Sequence, residues 1–214
     1  IDATSMVLNG LVNTRILAIC RDLDIDAVGI SGVDAGLVRA HRRPPVTMSD
    51  GETVDFGFVG DIDAVDPTVI RKLLDNGLMP VISPLSADSH GTLLNINADT
   101  VAAAIGAALS AEKLILCTGA PGILERVEDP SSVISYTDLR GLKKMREDGS
   151  IVDGMLPKAK AIEDAIRGGV RRVHVISYQA PEGILTEVFT NEGTGTLVVA
   201  DVNALTPAEQ NASS

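Results

Sequence analysis

The sequence predicts an α/β fold around a mainly parallel sheet, and three observations carry that prediction. Short apolar segments alternate with amphipathic ones along the chain, the order of strand and helix that builds parallel sheets. Hydrophobic residues make up 45% of the 214 and aromatic ones only 2%, so the core is aliphatic, as suits strands buried on both faces. Glycines and small polar residues gather where strands should end, as at 31–36 and 118–122. A chain of this length can bury a full core, in one domain or about one and a half.

Taken in order, Met6, Val7, Leu11, Ile16, Leu17 and Cys20 recur at helical spacing over 3–22. That helix also carries Asn9, Gly10 and Asn13, which a purely structural helix does not need. No cap precedes it and the chain starts at Ile1 without Met, so the reading is of a helix entered partway, with an N-terminal portion upstream. Residues 26–31 form a buried strand, the small-residue loop 31–36 follows, and 37–40 return as a strand. The loop suits either a tight turn or a backbone approach to a ligand. Residues 55–60 read as a strand ending in glycine. Asp66 and Pro67 then open a helix to about 76, with Asp at the cap, Pro at the first helical position and Gly77 closing it. A strand at 79–84 leads through a hairpin-like stretch at 86–92 to the polar sequence Asn95-Ile96-Asn97-Ala98-Asp99.

That sequence organises the chain. Asn97 caps the Ala-rich helix that follows, and Asp99 lies near the positive end of its dipole. A capped core helix accounts for both residues. Their place at a strand-to-helix edge, where α/β sheets bind ligands, equally suits a site. Beyond it come a strand at 113–118, the glycine loop 119–122, an irregular stretch at 125–136 and a helix from Thr137, which serves as its cap, to about 146. The loop 149–154 delivers Lys158 onto a helix ended by Gly168 and Gly169; a strand (172–177), a helix (181–189) and a last strand (195–200) complete the fold before a polar, fraying tail at 201–214.

The formal charge of −11 argues against nucleic acid and anionic membrane as partners. His41-Arg42-Arg43-Pro44-Pro45, the one basic run, reads as a solvated edge. Cys20 and Cys117 lie in apolar segments and read as core thiols, which fits a reducing cytoplasm. No apolar run looks long enough to span a bilayer, and nothing resembles a signal peptide. Phosphate-loop, dinucleotide and zinc-protease motifs are absent, and the three histidines show no metal-ligand spacing. What remains is a set of polar groups at strand ends together with Lys158. A lysine on a helix after a glycine loop suits phosphoryl transfer, and it equally suits a solvated surface.

Taken together, Ser31-Gly32-Val33-Asp34-Ala35-Gly36-Leu37, Gly57-Phe58-Val59-Gly60, Asn95 to Asp99, Pro121-Gly122-Ile123-Leu124, Gly154-Met155-Leu156-Pro157-Lys158, Gly168-Gly169-Val170 and the run from Phe189 to Thr196 resemble the amino-acid kinase family, over nearly the whole chain. Within it they are most similar to the acetylglutamate kinase branch. The resemblance implies a three-layer sandwich, with residues 1–96 as the rest of an acetylglutamate-binding and dimerisation lobe and 97–200 as a nucleotide lobe. It implies ATP and Mg2+, with N-acetyl-L-glutamate as acceptor in arginine biosynthesis. Lys158 and Asp99 would be catalytic. Asn95, Asn97, Ser31 and Gly32 would meet the acceptor, and Thr118, Gly119, Pro121, Gly122 and Met155 the nucleotide. His174, Glu192 and Gly195 match parts of an arginine effector site, in a homodimer or hexamer.

The departures are specific. The family's Lys-x-Gly-Gly strand, His-Gly-Gly turn and substrate-gripping arginine would lie upstream of Ile1, and without them the 214 residues alone should not turn over usefully. Leu11 and Val33 stand where acetylglutamate kinases usually have lysine, which is closer to the aminoadipate-type kinases of lysine synthesis. Gly119 replaces an aspartate of the nucleotide loop. A kinase of a related N-modified amino acid, and a non-catalytic arginine-sensing domain, are the competing readings.

Overall fold

A computed structural model describes residues 1–48, 51–126, 128–151, 154–190 and 193–204. The chain divides into two compact units, Ile1–Val101 and Ala102–Ser214, with the division inside one helix.

In the first unit a continuous helix, Asp2–Asp22, packs on a parallel strand pair. It runs as α1 (Asp2–Ser5), a π-helical stretch (Met6–Val12) and α2 (Asn13–Asp22). The pair is β1 (Ala27–Ser31) and β6 (Met79–Ser83), aligned from Ala27 opposite Met79 to Ser31 opposite Ser83. The asparagines that looked superfluous dock the helix. Asn13 Nδ2 donates to Val81 O at 3.0 Å, and Ser83 Oγ donates to Asn9 Oδ1 at 2.8 Å. The approach is so close that a Cβ on Gly29 would stand 2.0 Å from Asn13 Oδ1. Contrary to the sequence expectation, this 21-residue helix is long and apolar enough to cross a membrane by length and composition. Its outer face bears Met6, Leu11, Ile16 and Ile19, all exposed.

A mixed sheet completes this unit in the order β5 (Gly60–Val65), β2 (Val38–Arg42), β7 (Leu85–Ala87), β8 (Leu93–Asn95), beside a small ribbon of β3 (Val46–Thr47) and β4 (Thr53–Val54). The hairpin expected at 86–92 is β7–β8, closed by Asp88 Oδ1 accepting the N–H groups of His90 and Thr92. The strand expected at 55–60 instead begins at Gly60. Asp55 accepts the N–H of Gly57, whose φ is +65°, so a local side-chain turn displaces the ladder there. The basic run is solvated, with Arg42 paired to Asp55, Arg43 to Asp61, and His41 hydrogen-bonded to Asp63. Helix α3 (Thr68–Asp75) starts where Asp66 Oδ1 accepts the Thr68 N–H at 3.0 Å, and Gly77 closes it at φ +75°.

Helix α4 (Ala98–Leu109) spans the division. In the second unit the sheet order is β10 (Tyr136–Asp138), β12 (Thr196–Val199), β11 (Arg172–Ser177), β9 (Lys113–Thr118). The three neighbouring pairs run parallel, antiparallel and parallel. Val173 and Val175 point into a core shared with Ala159, Ile162, Ala165 and Ile166 of α6 (Met155–Arg167), while His174 faces α7 (Gly183–Phe189) on the opposite side. Alternation along one strand thus builds the middle layer of a three-layer arrangement. Helix α5 (Leu139–Glu147) is capped by Asp138 rather than by the expected Thr137: Asp138 Oδ1 accepts the Gly141 N–H at 2.8 Å, while Thr137 belongs to β10 opposite Val198. Cys20 is buried as expected, but Cys117, on the edge strand β9, is exposed. Of the tail, 202–204 form a 3-10 turn and Asp201 pairs with Arg140; 205–214 lie outside the described residues.

Candidate functional site

In the first unit the predicted acceptor residues sit at the carboxyl ends of strands. Ser31 ends β1 and is buried, but its hydroxyl and its N–H both donate to Asp34 Oδ2 at 2.7 Å. Its oxygen also accepts the Val33 N–H at 3.3 Å. Gly32 lies under β7, where a Cβ would meet Leu85 O at 2.5 Å. Loop geometry therefore accounts for both residues. Gly32, but not Ser31, borders a cleft of about 570 Å³ that also takes in Gly36, Arg39, Asp63 and Asp88.

Asn95 ends β8, opposite Leu85, and its N–H donates to Phe58 O at 2.8 Å. Its half-buried carboxamide makes no hydrogen bond among the described residues. Asn97 is the cap the sequence predicts: its Oδ1 accepts the Thr100 N–H at 3.1 Å, leaving its amide NH2 outward. Asp99 lies half-buried in the first turn of α4.

In the second unit Thr118 ends β9 level with Ser177 of β11, and its carbonyl accepts the Tyr178 N–H at 2.9 Å. The loop that follows carries Gly119 and Pro121 and closes on Gly122. A Cβ on Gly122 would meet Thr196 Oγ1 at 2.7 Å, and that hydroxyl accepts the next N–H, of Ile123, at 2.8 Å. Met155 opens α6 and packs on the core. Lys158, in the first turn of the same helix, is only 9% exposed. The solvated-surface reading of this lysine does not hold. A lysine is almost never buried this deeply unless it is paired, because desolvating an ammonium is costly.

The candidate effector residues fare unequally. His174 is buried, and Gly195 is needed where it stands, since a Cβ there would come within 2.0 Å of Val175 O. Glu192 lies outside the described residues. Sequence reasoning missed Glu187, whose Oε1 accepts from His174 Nδ1 at 2.5 Å and whose Oε2 accepts the Thr194 N–H at 2.6 Å. Burial pushes this carboxyl up, but the hydrogen bond from His174 and the Thr194 N–H outweigh it and hold Glu187 below the ordinary range. His174 Nε2 is buried with no partner among the described residues. The signal for Glu187 in the sequence was an acid four residues after Gly183, the one charged residue of α7.

Among the described residues no three or more His, Cys, Asp and Glu gather to hold a metal ion. The first unit brings amides and backbone N–H donors to its strand ends, and the second carries a buried cation in the first turn of α6; groups of these kinds suit binding an anion and spreading its charge.

Comparison with known proteins agrees with this chemistry. The sequence matches the amino acid kinase family over residues 1–177. It is 48% identical to acetylglutamate kinase of Myxococcus xanthus, covering 97% of this chain and 69% of that protein. It is 46% identical to the Archaeoglobus fulgidus acetylglutamate kinase, covering 92% of this chain and 69% of the relative. Against the chloroplastic acetylglutamate kinase of Arabidopsis thaliana, identity is 43% over 92% of this chain and 55% of the relative. Among solved structures, smu.665 from Streptococcus mutans superposes with a TM-score of 0.71 at 26% identity, covering 92% of this chain and 70% of that one. The N-acetylglutamate synthase of Neisseria gonorrhoeae shares the fold at a TM-score of 0.78 and 24% identity, over 94% of this chain and 44% of that one. The chain belongs to the amino acid kinase family.

Proposed function

We propose that this chain carries an acetylglutamate kinase activity: the γ-phosphoryl group of ATP passes to the side-chain carboxylate of N-acetyl-L-glutamate, a step of arginine biosynthesis. A carboxylate oxygen attacks the γ-phosphorus, the bond to the bridging oxygen breaks, and an acyl phosphate and ADP result. The nucleophile is already an anion, so no general base is required. The barrier lies in bringing two anions together in line and in spreading charge over the transferring group. In a chain of net charge −11 that work falls to local donors.

The observation that carries this reading is Lys158, a buried cation in the first turn of α6. We assign it to the charge on the transferring phosphoryl group and Asp99 to the orienting carboxylate. The amide of Asn95, with Asn97 and the backbone of Ser31 and Gly32, would hold the acceptor. The loop from Thr118 through Gly119 and Pro121 to Gly122, with Met155, would hold the nucleotide. Residues 1–96 would then serve the acceptor and dimerisation, and 97–200 the nucleotide. Mg2+ would enter as MgATP, carried mainly by phosphate oxygens and water.

An arginine effector would bind at His174, Gly195 and Glu192, and His174 Nε2, without a partner among the described residues, supports a ligand there. The exposed apolar face of Met6, Leu11, Ile16 and Ile19 supports a homo-oligomer, dimer or hexamer, and a cytoplasmic setting suits such an enzyme.

Replacing Lys158 by Ala in the intact gene product tests the assignment. We expect kcat to fall about 10³-fold with KM for acetylglutamate changed little. A rate within twofold of the parent would remove Lys158 from the mechanism.

A further inference from the structure

Strands β9 and β11 run parallel with Thr118 level with Ser177, so both open at one edge of the sheet. The next residues are Gly119 and Tyr178. A Cβ built on Gly119 would stand 3.4 Å from the Tyr178 hydroxyl oxygen and 3.6 and 3.8 Å from ring atoms Cε1 and Cζ. The phenol thus lies across the space that a side chain at 119 would fill. It is tied there by its own N–H to Thr118 O, yet 66% of the residue remains exposed.

Beside it is a cleft of about 240 Å³ lined by Cys117, Ser177, Ala180, Ile184 and Leu185. That is smaller than the roughly 300–1,000 Å³ of pockets for drug-sized ligands, and suited to one planar heterocycle. Glu182 is the only charged residue of this lining. A wall with a carboxylate and no cation repels a triphosphate and accepts an uncharged ring.

We propose that Tyr178 is a nucleotide-binding residue, its ring laid over Gly119 as the platform on which the base of the nucleoside triphosphate stacks. The proposal rests on reading 118–122 as the nucleotide loop. It places the base in the cleft toward Ile184 and Leu185 and the phosphates away from Glu182. Aromatic faces hold nucleobases without hydrogen-bond readout, so the platform adds affinity for the nucleotide and none for the acceptor.

The test compares the intact protein with Tyr178→Ala and Tyr178→Phe, reading KM for MgATP, KM for acetylglutamate, kcat and direct binding of ADP. Tyr178→Ala is expected to raise KM for MgATP and Kd for ADP about tenfold, with the effect on nucleotide rather than on acetylglutamate. Tyr178→Phe, which keeps the ring, should recover most of that loss. An active parent whose Tyr178→Ala form keeps its nucleotide constants overturns the platform and leaves the kinase reading standing. So does a Tyr178→Phe form as impaired as Tyr178→Ala, or an equal rise in both KM values. A parent that binds no ADP overturns both readings.

Discussion

The Glu187 carboxyl is pulled two ways. Burial opposes its charge, and the donors from His174 and the Thr194 N–H favour it and prevail. Because its folded pKa lies below the ordinary 4.5, this interaction stabilises the fold above that pH and is lost as pH falls through the folded value. Thermal melts from pH 7 to pH 3 should show an acid loss that is smaller in Glu187→Gln. That variant should also be less stable at neutral pH by about 1–3 kcal/mol, since a buried charge-assisted bond is lost. An identical acid limb in the two proteins would refute the assignment. Lys158 and His174 were both legible in the sequence, one from the glycine loop before it and the other from the family motif. Their environments were not. Nothing in local spacing reports that Lys158 is buried, or that the partner of His174 lies thirteen residues on, across a strand-to-helix connection.

Elements were read best where punctuation is local. Gly77, the Asn97 cap and the β7–β8 hairpin are set by residues within a turn of one another. The misplaced strand at 55–60 and the wrong cap of α5 have one cause: in each, an aspartate side chain took a nearby backbone N–H. Asp55 took the Gly57 N–H, and Asp138, one residue past Thr137, took that of Gly141. Asp138→Ala should therefore cost about 1 kcal/mol, seen as a lower denaturant midpoint, while loss of the Thr137 hydroxyl should not act through the cap. At the start of β12 a single methyl should do more. Gly195→Ala would drive a Cβ to 2.0 Å from Val175 O, and a loss of about 3 kcal/mol is expected, with β11 and β12 forced apart. A variant as stable as the parent would show that this loop can yield.

At the scale of the molecule, alternating periodicity and an aliphatic core made the α/β class legible. The direction of each strand was not, since β11 and β12 lie antiparallel although a helix separates them in sequence. Equally illegible was the length of the apolar helix Asp2–Asp22, because its apolar outer face and its docking asparagines are interleaved. A ligand that binds only the folded chain stabilises all of it. MgADP at about a hundred times its Kd should add about 2.7 kcal/mol and raise Tm by about 5–10 °C. No shift at saturating MgADP would contradict nucleotide binding.

The chain has no tryptophan and two tyrosines. Tyr136 is half-buried in β10, and Tyr178 stands exposed beside Gly119. Near-ultraviolet emission from these 214 residues therefore comes from two phenols, one of them at the loop assigned to the nucleotide. The chain carries its own optical reporter, and its light should dim when a base settles on the ring.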